Sequence, residues 1–242
     1  MHLDHLASRA SAVRTAGLDV PQRPPTRREL QERVRAFAVS FPDLCRLSSV
    51  GTSRGGEDLP LLVIGDGPLN MVIAAGSHPN EPIGGQKIIT LAAYLFAHPA
   101  ERERATWYLM PSSDPDGLQL NEKWLTGTWP PTMEAYHRGF YQPDGPAQPQ
   151  PDWTFPFDDP TATQLPEARA LMEVIDSAEA DAVLSLHSPD SGGCLYMLTR
   201  GRAELVDVLA QASAGNGRCF GLGTGGLAYS TVASSPRSPT GR

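Results

Sequence analysis

Two apolar runs that each end just before a histidine decide the fold: residues 71–81 read MVIAAGSHPNE, and residues 182–188 read AVLSLHS. The first five residues of the earlier run are apolar on both faces, which is typical of a strand buried between helix layers. On either side of these runs, further strand patterns and helix patterns alternate between residues 30 and 209. This alternation predicts an α/β fold.

Both runs carry metal-ligating side chains at the point where a strand ends. His78 and Glu81 follow the first run, and His187 follows the second. Sites in open α/β sheets form beyond the carboxyl ends of the strands, so these side chains are expected to meet. Two imidazoles and one carboxylate are a standard ligand set for a catalytic zinc ion. The spacing also fits the alternative that each histidine is only hydrogen-bonded and that Glu81 is a solvated surface residue.

Length and charge narrow the class of protein. The 242 residues are enough for one sizeable α/β domain, and a net charge of −7 without a basic stripe argues against nucleic acid as a partner. The first twenty residues lack the apolar core of a signal peptide, and no run approaches the roughly 18 apolar residues of a membrane helix. We therefore expect a cytoplasmic protein without a membrane partner. Three scattered cysteines argue against a disulfide framework or a cysteine zinc site.

The pattern divides the chain into three parts. Residues 1–28 form a polar leader that we expect to be poorly ordered, with Thr26 as the N-cap of the first helix. Residues 29–220 are predicted to form one catalytic domain. Within it, tryptophans and prolines without periodicity over residues 121–160 predict a long loop or flap that shapes the site. Residues 221–242 are rich in Gly, Ser and Pro and predict an irregular tail.

Several motifs, taken in chain order, resemble those of the M14-type zinc carboxypeptidases. They are VGTSRGGE at residues 50–57, GSHPNEPIG at 76–84, DPDG at 114–117, LPEARAL at 165–171 and LSLHS at 184–188. This resemblance covers most of the chain. It implies an α/β fold in which a mixed, mostly parallel, twisted sheet is flanked by helices on both faces.

The same resemblance implies a ligand set and an activity. His78, Glu81 and His187 correspond to the ligands of one Zn²⁺ ion. The implied activity is hydrolysis of a peptide near its C-terminus: the metal polarises the scissile carbonyl and activates water, and a separate carboxylate takes the proton.

Two features depart from the family pattern. The family places its general-base glutamate on a strand far beyond the last ligand, whereas this sequence has no Asp or Glu after Asp207. The catalytic base is therefore unassigned, and we expect that the chain stops early. The arginines that bind a substrate carboxylate also lack clear counterparts, which leaves Lys123 and Arg138 as candidates. A lysine offers a point charge instead of a two-pronged guanidinium, and solvated surface charge is the alternative for both.

Two other functions are compatible with these residues. A deacylase of the aspartoacylase or succinylglutamate desuccinylase type shares His-x-x-Glu and a later histidine, and would act on acylated amino acids instead of peptides. A non-catalytic zinc-binding or peptide-binding remnant would explain the unassigned general base.

Overall fold

The computed structural model describes residues 23–143, 150–151, 164–188, 194–198, 203–215, 220–224 and 230–232. These residues fall into two compact units, one extending through His187 and one beginning at Ser188, and each is described by itself.

The first unit is built on a five-stranded sheet. Its strands are β1 (Cys45–Thr52), β2 (Asp58–Ile64), β3 (Leu69–Ala75), β4 (Ala105–Met110) and β5 (Ala182–Leu186). Their order across the sheet is β1-β2-β4-β3-β5. Strand β3 therefore lies between β4 and β5, as its doubly apolar sequence predicts.

Six helices lie in the described part of the same unit. They are α1 (Arg27–Ser40), α2 (Ile83–Ala97), α3 (Pro99–Arg104), α4 (Pro115–Leu125), α5 (Met133–Gly139) and α6 (Pro166–Ser177). Helix α1 begins with a complete capping box, in which the Thr26 hydroxyl and the Glu29 carboxylate each accept a backbone N–H of the other residue. The predicted N-cap is confirmed.

Apolar side chains cover both faces of the sheet. On one face, Phe37 of α1 and Ile88 of α2 belong to one buried cluster with Ile73 of β3. On the other face, Val174 of α6 packs in a cluster with Val72 of β3. The predicted mixed sheet between helices is confirmed, and burial of these side chains supplies the main driving force for folding.

The five-stranded sheet combines parallel and antiparallel pairing. Strands β4, β3 and β5 run parallel, but β1 pairs antiparallel with β2, and β2 pairs antiparallel with β4. The five residues between β1 and β2 are too few for a crossover helix, so these two strands form a hairpin. The parallel half of the sheet is the half that carries the candidate ligands.

The segment predicted as a loop from residue 121 to residue 160 is partly helical. It contains the end of α4 and the whole of α5, and residues 144–149 and 152–160 of the predicted loop lie outside the described residues. Asn121 of α4 is fully buried and links this helix to the segment after α5. Its Nδ2 donates to Tyr141 O at 2.8 Å, and its Oδ1 accepts from Tyr141 N at 2.9 Å. A buried amide that replaces ladder hydrogen bonds orders a segment without hydrophobic periodicity.

The second unit holds strands β6 (Cys194–Leu198), β7 (Phe220–Thr224) and β8 (Ser230–Val232) and helix α7 (Ala203–Gly215). Strand β7 pairs parallel with β6 and antiparallel with β8. The expectation of an irregular tail after residue 220 was wrong for strands β7 and β8, because hydrogen bonds between the strands satisfy their backbone groups despite a weak side-chain pattern. The leader before Arg23 lies outside the described residues.

In neither unit does a described helix combine the length and the apolar character that crossing a membrane requires.

Candidate metal centre

The backbone turns sharply between β3 and the first candidate ligand. Gly76 has a φ of +72°, a left-handed conformation that a glycine adopts without steric cost. The chain then bends back so that the Glu81 N–H donates to the His78 carbonyl at 3.0 Å. Helix α2 follows at once, and Gly84 in its first turn allows the helix to lie against β3: a Cβ there would approach Ala75 Cβ to 2.9 Å. These contacts place His78 and Glu81 together at the carboxyl end of β3.

The second histidine reaches the same edge because β3 and β5 are adjacent and parallel. Ala75 pairs in register with Leu186, and each is the last residue of its strand. His187 comes directly after β5, so its side chain lies beside those of His78 and Glu81. Because the candidate ligands directly follow two adjacent parallel strands, the three side chains meet at one edge of the sheet.

The three side chains form a compact set of ligand atoms, which we call the His–Glu group (His78, Glu81 and His187). His78 Nδ1 lies 2.9 Å from Glu81 Oε1, and His187 Nδ1 lies 3.0 Å from Glu81 Oε2. One ligand atom from each residue can be chosen so that all three lie within 4.8 Å of one another. The Glu81 side chain is 13% exposed and that of His187 is 38% exposed, so the group is open on one side. Two imidazole nitrogens converging on one carboxylate match the donor set of a zinc site.

A second charged group lies in the same unit, and sequence reasoning did not assign it a role. We call it the arginine cluster: Arg54, Asp114, Asp116 and Glu167. Glu167 Oε1 accepts from the Arg54 backbone N–H at 2.9 Å and from Arg54 Nε at 3.1 Å, and Asp114 Oδ2 lies 3.3 Å from Arg54 Nη2. The Gly55 N–H donates to Asp116 Oδ2 at 2.8 Å. The cluster thereby links the β1–β2 turn to the first turns of α4 and α6.

Two carboxylates of this cluster are buried, so their negative charge needs a compensating group. Asp114 and Glu167 are both fully buried. Burial is the main effect that raises the pKa of Asp114, although the Gly117 N–H and the Arg54 charge act in the opposite direction. For Arg54, burial opposes the charged form, but Asp114 and Glu167 outweigh it and raise the pKa of the guanidinium. Arg54 is therefore the cation that balances part of the buried negative charge.

All members of the arginine cluster belong to the motifs quoted above, so the sequence did contain an indication of the cluster. A charged residue between small or apolar neighbours, such as Glu167 between Pro166 and Ala168, indicates either a site or a buried pair. Its partner Arg54 is 113 residues away in the chain. No local pattern connects the two.

The two predicted substrate-binding residues are exposed and lie at helix ends. Lys123 is in the last turn of α4, and Arg138 is in the last turn of α5. Arg138 Nη2 lies 2.9 Å from Glu134 Oε1, one helical turn earlier, and both side chains are more than 70% exposed. Their role in substrate binding stays a prediction.

Comparison with known proteins identifies the family. The family model Peptidase_M14, described as zinc carboxypeptidase, matches residues 30–202 of the chain. The chain belongs to the zinc carboxypeptidase family. Carboxypeptidase SOL1 of Arabidopsis thaliana is 24% identical over 194 residues, which are 75% of this chain and 36% of that relative. This member of the zinc carboxypeptidase family thus spans about a third of the length of that relative.

Solved structures support the fold. Bovine thrombin-activatable fibrinolysis inhibitor, in complex with tick carboxypeptidase inhibitor, matches with a TM-score of 0.57 and 15% identity, over 78% of this chain and 69% of that one. Carboxypeptidase A from Helicoverpa armigera matches with a TM-score of 0.56 and 14% identity, over 83% of this chain and 57% of that one. At such identities the likeness concerns the architecture alone, and it agrees with the mixed sheet between helices.

Proposed function

We propose that the protein is a zinc-dependent hydrolase of the metallocarboxypeptidase type that cleaves a peptide or amide bond near a C-terminus. His78, Glu81 and His187 would hold one Zn²⁺ ion. The observation that carries this proposal is the convergence of two imidazole Nδ1 atoms to within 3.0 Å of the oxygens of one carboxylate. Family membership supports the same reading.

The chain's own residues supply a rigid, open set of ligands. Glu81 is fixed by the hydrogen bond from its N–H to the His78 carbonyl and by the start of α2 directly after it. His187 is fixed by its position at the end of β5. Held there, zinc would supply a Lewis acid that polarises a carbonyl and lowers the pKa of a water molecule. The exposed side of the His–Glu group leaves room for the carbonyl of a substrate.

Metal content tests the ligand assignment. We expect the purified protein to bind one zinc ion per chain and His78→Ala to lose it, as measured by elemental analysis after dialysis. His98→Ala is the matched control, because His98 lies at the far end of α2, where its Nδ1 is 2.7 Å from the Tyr94 carbonyl. Stoichiometric zinc in His78→Ala would overturn the assignment.

Substrate class is tested by a set of three model substrates. Peptides with a free C-terminal carboxylate should be hydrolysed, and the same peptides with a C-terminal amide should not. Hydrolysis of N-acylated amino acids, without hydrolysis of peptides, would instead identify a small-amide deacylase. Tight zinc binding without turnover of any substrate would favour the non-catalytic alternative and contradict the proposed activity.

A further inference from the structure

The His187 ring has a second polar neighbour on the side opposite Glu81. Ser185 lies on β5, two residues before His187, which directly follows the strand. Ser185 Oγ is 3.0 Å from His187 Nε2. His187 Nδ1, at the other end of the ring, is 3.0 Å from Glu81 Oε2. Both ring nitrogens therefore have a polar neighbour: Glu81 at Nδ1 and Ser185 of the preceding strand at Nε2.

The chemistry of imidazole connects these two contacts. A neutral ring carries one proton, and a nitrogen that binds a metal must offer its lone pair, so the proton then lies on the other nitrogen. For His187, binding through Nδ1 places the proton on Nε2. A serine hydroxyl can accept a hydrogen bond as well as donate one, and Ser185 Oγ is at the right distance to accept one from the Nε2–H.

We propose that Ser185 is a positioning residue for the metal centre: its Oγ accepts a hydrogen bond from His187 Nε2 and thereby presents Nδ1 to zinc. This inference rests on the proposed function. Partners of this kind fix the tautomer and the ring orientation of a ligating histidine, and their removal costs about 10-fold to 100-fold in metal affinity. Because Ser185 and His187 are exposed on this side, water can partly replace the hydroxyl, and we expect the lower end of that range.

A pair of strand-compatible variants isolates the hydroxyl. Ser185→Thr retains it, whereas Ser185→Val has nearly the same shape as the threonine and lacks it, and both residues favour strands. Zinc affinity is measured by competition with a chelator of known affinity. We expect Ser185→Val to bind zinc about 10-fold more weakly and Ser185→Thr to stay within about 2-fold of wild type. Ser49→Val is the control, because Ser49 is an exposed strand serine on β1, at the opposite edge of the sheet.

A spectroscopic readout reports the hydrogen bond itself. In the zinc-loaded protein, the His187 Nε2–H should give a proton resonance that exchanges slowly with water in wild type and in Ser185→Thr. The same resonance should exchange faster in Ser185→Val. Far-UV circular dichroism and a cooperative melt establish that each variant is folded.

The outcomes separate this inference from the function on which it rests. If the wild type binds no zinc, the proposed function fails and the positioning role falls with it. If the wild type binds zinc and Ser185→Val binds it equally well, only the role of Ser185 is overturned. Equal losses in the threonine and valine variants would attribute the effect to strand packing and would likewise overturn the role.

Discussion

The first unit contains two carboxylate clusters that differ in what neutralises them. The arginine cluster encloses its own cation: Arg54 lies against Asp114 and Glu167, which are fully buried. The His–Glu group has two imidazoles around Glu81 and is open to solvent at His187. Fully buried carboxylates need a paired charge, whereas a carboxylate between imidazoles in a group with an exposed edge can receive a cation from solution. The comparison therefore favours a structural role for the first cluster and supports the proposed ligand role of the second.

The largest effect is expected from removing the internal cation. Arg54→Met leaves the carboxylates of Asp114 and Glu167 buried without their partner. Breaking a buried pair costs about 3–5 kcal/mol, and we expect about 3 kcal/mol of unfolding free energy because the Arg54 side chain is partly exposed. Urea denaturation measures it. The control is Arg138→Met, which breaks an exposed helical pair and should cost at most about 0.5 kcal/mol. Equal losses in the two variants would remove the distinction between the clusters.

Adding zinc tests the other member of the comparison, the His–Glu group. A ligand that binds only the folded state stabilises it by about 2.7 kcal/mol when present at 100 times its dissociation constant. We expect this gain for the wild type in urea denaturation with added zinc, and no gain for Glu81→Gln. Asp116→Asn, which changes the arginine cluster, should keep the gain. If the zinc effect instead vanished in Asp116→Asn and persisted in Glu81→Gln, the assignment of the two clusters would be reversed.

The pH dependence of the unfolding free energy should also distinguish the two clusters, with a smaller effect. Because the folded-state pKa of Asp114 is raised, the folded state holds this proton more tightly than the unfolded state does. Its contribution to stability is therefore lost as pH rises from the ordinary pKa of 3.8 through the raised value. Asp114→Asn keeps a good N-cap residue for α4 and cannot ionise.

We expect the unfolding free energy of Asp114→Asn, relative to wild type, to increase as pH rises from below 3.8 to neutrality. Urea denaturation at a series of pH values measures the difference. A relative stability that falls over the same range would mean that Arg54 outweighs burial and that the charged form of Asp114 is favoured in the fold.

The contrast between the clusters also marks what sequence patterns reveal. The two apolar runs predicted β3 and β5, and parallel neighbours necessarily bring His78, Glu81 and His187 to one edge. Local capping chemistry likewise predicted the start of α1 at Thr26. These features depend on residues close together in the chain or on a general rule of sheets.

The remaining features depend on contacts between residues whose spacing follows no helix or strand period. The ion pair of Arg54 with Glu167 and the hydrogen bonds of Asn121 with Tyr141 join segments through buried polar groups. Such contacts leave no hydrophobic repeat in the sequence. The antiparallel pairing of β1 with β2 is hidden for a related reason, since a short connection sets it and the composition of the strands does not.

The smallest effects are expected from cations that neither cluster contains. Lys123 and Arg138 are exposed, and an exposed charge contact is worth about 0.2–1 kcal/mol, or at most about a fivefold change in KM. We expect Lys123→Met and Arg138→Met each to raise KM for a peptide with a free C-terminal carboxylate by no more than this, with little change in kcat. The C-terminally amidated peptide is the control, because it lacks the charge that either residue would attract. An unchanged KM in both variants would exclude the two residues from carboxylate binding, whereas a loss of 100-fold or more, about 2.7 kcal/mol, would require a desolvated contact that their exposed positions do not provide.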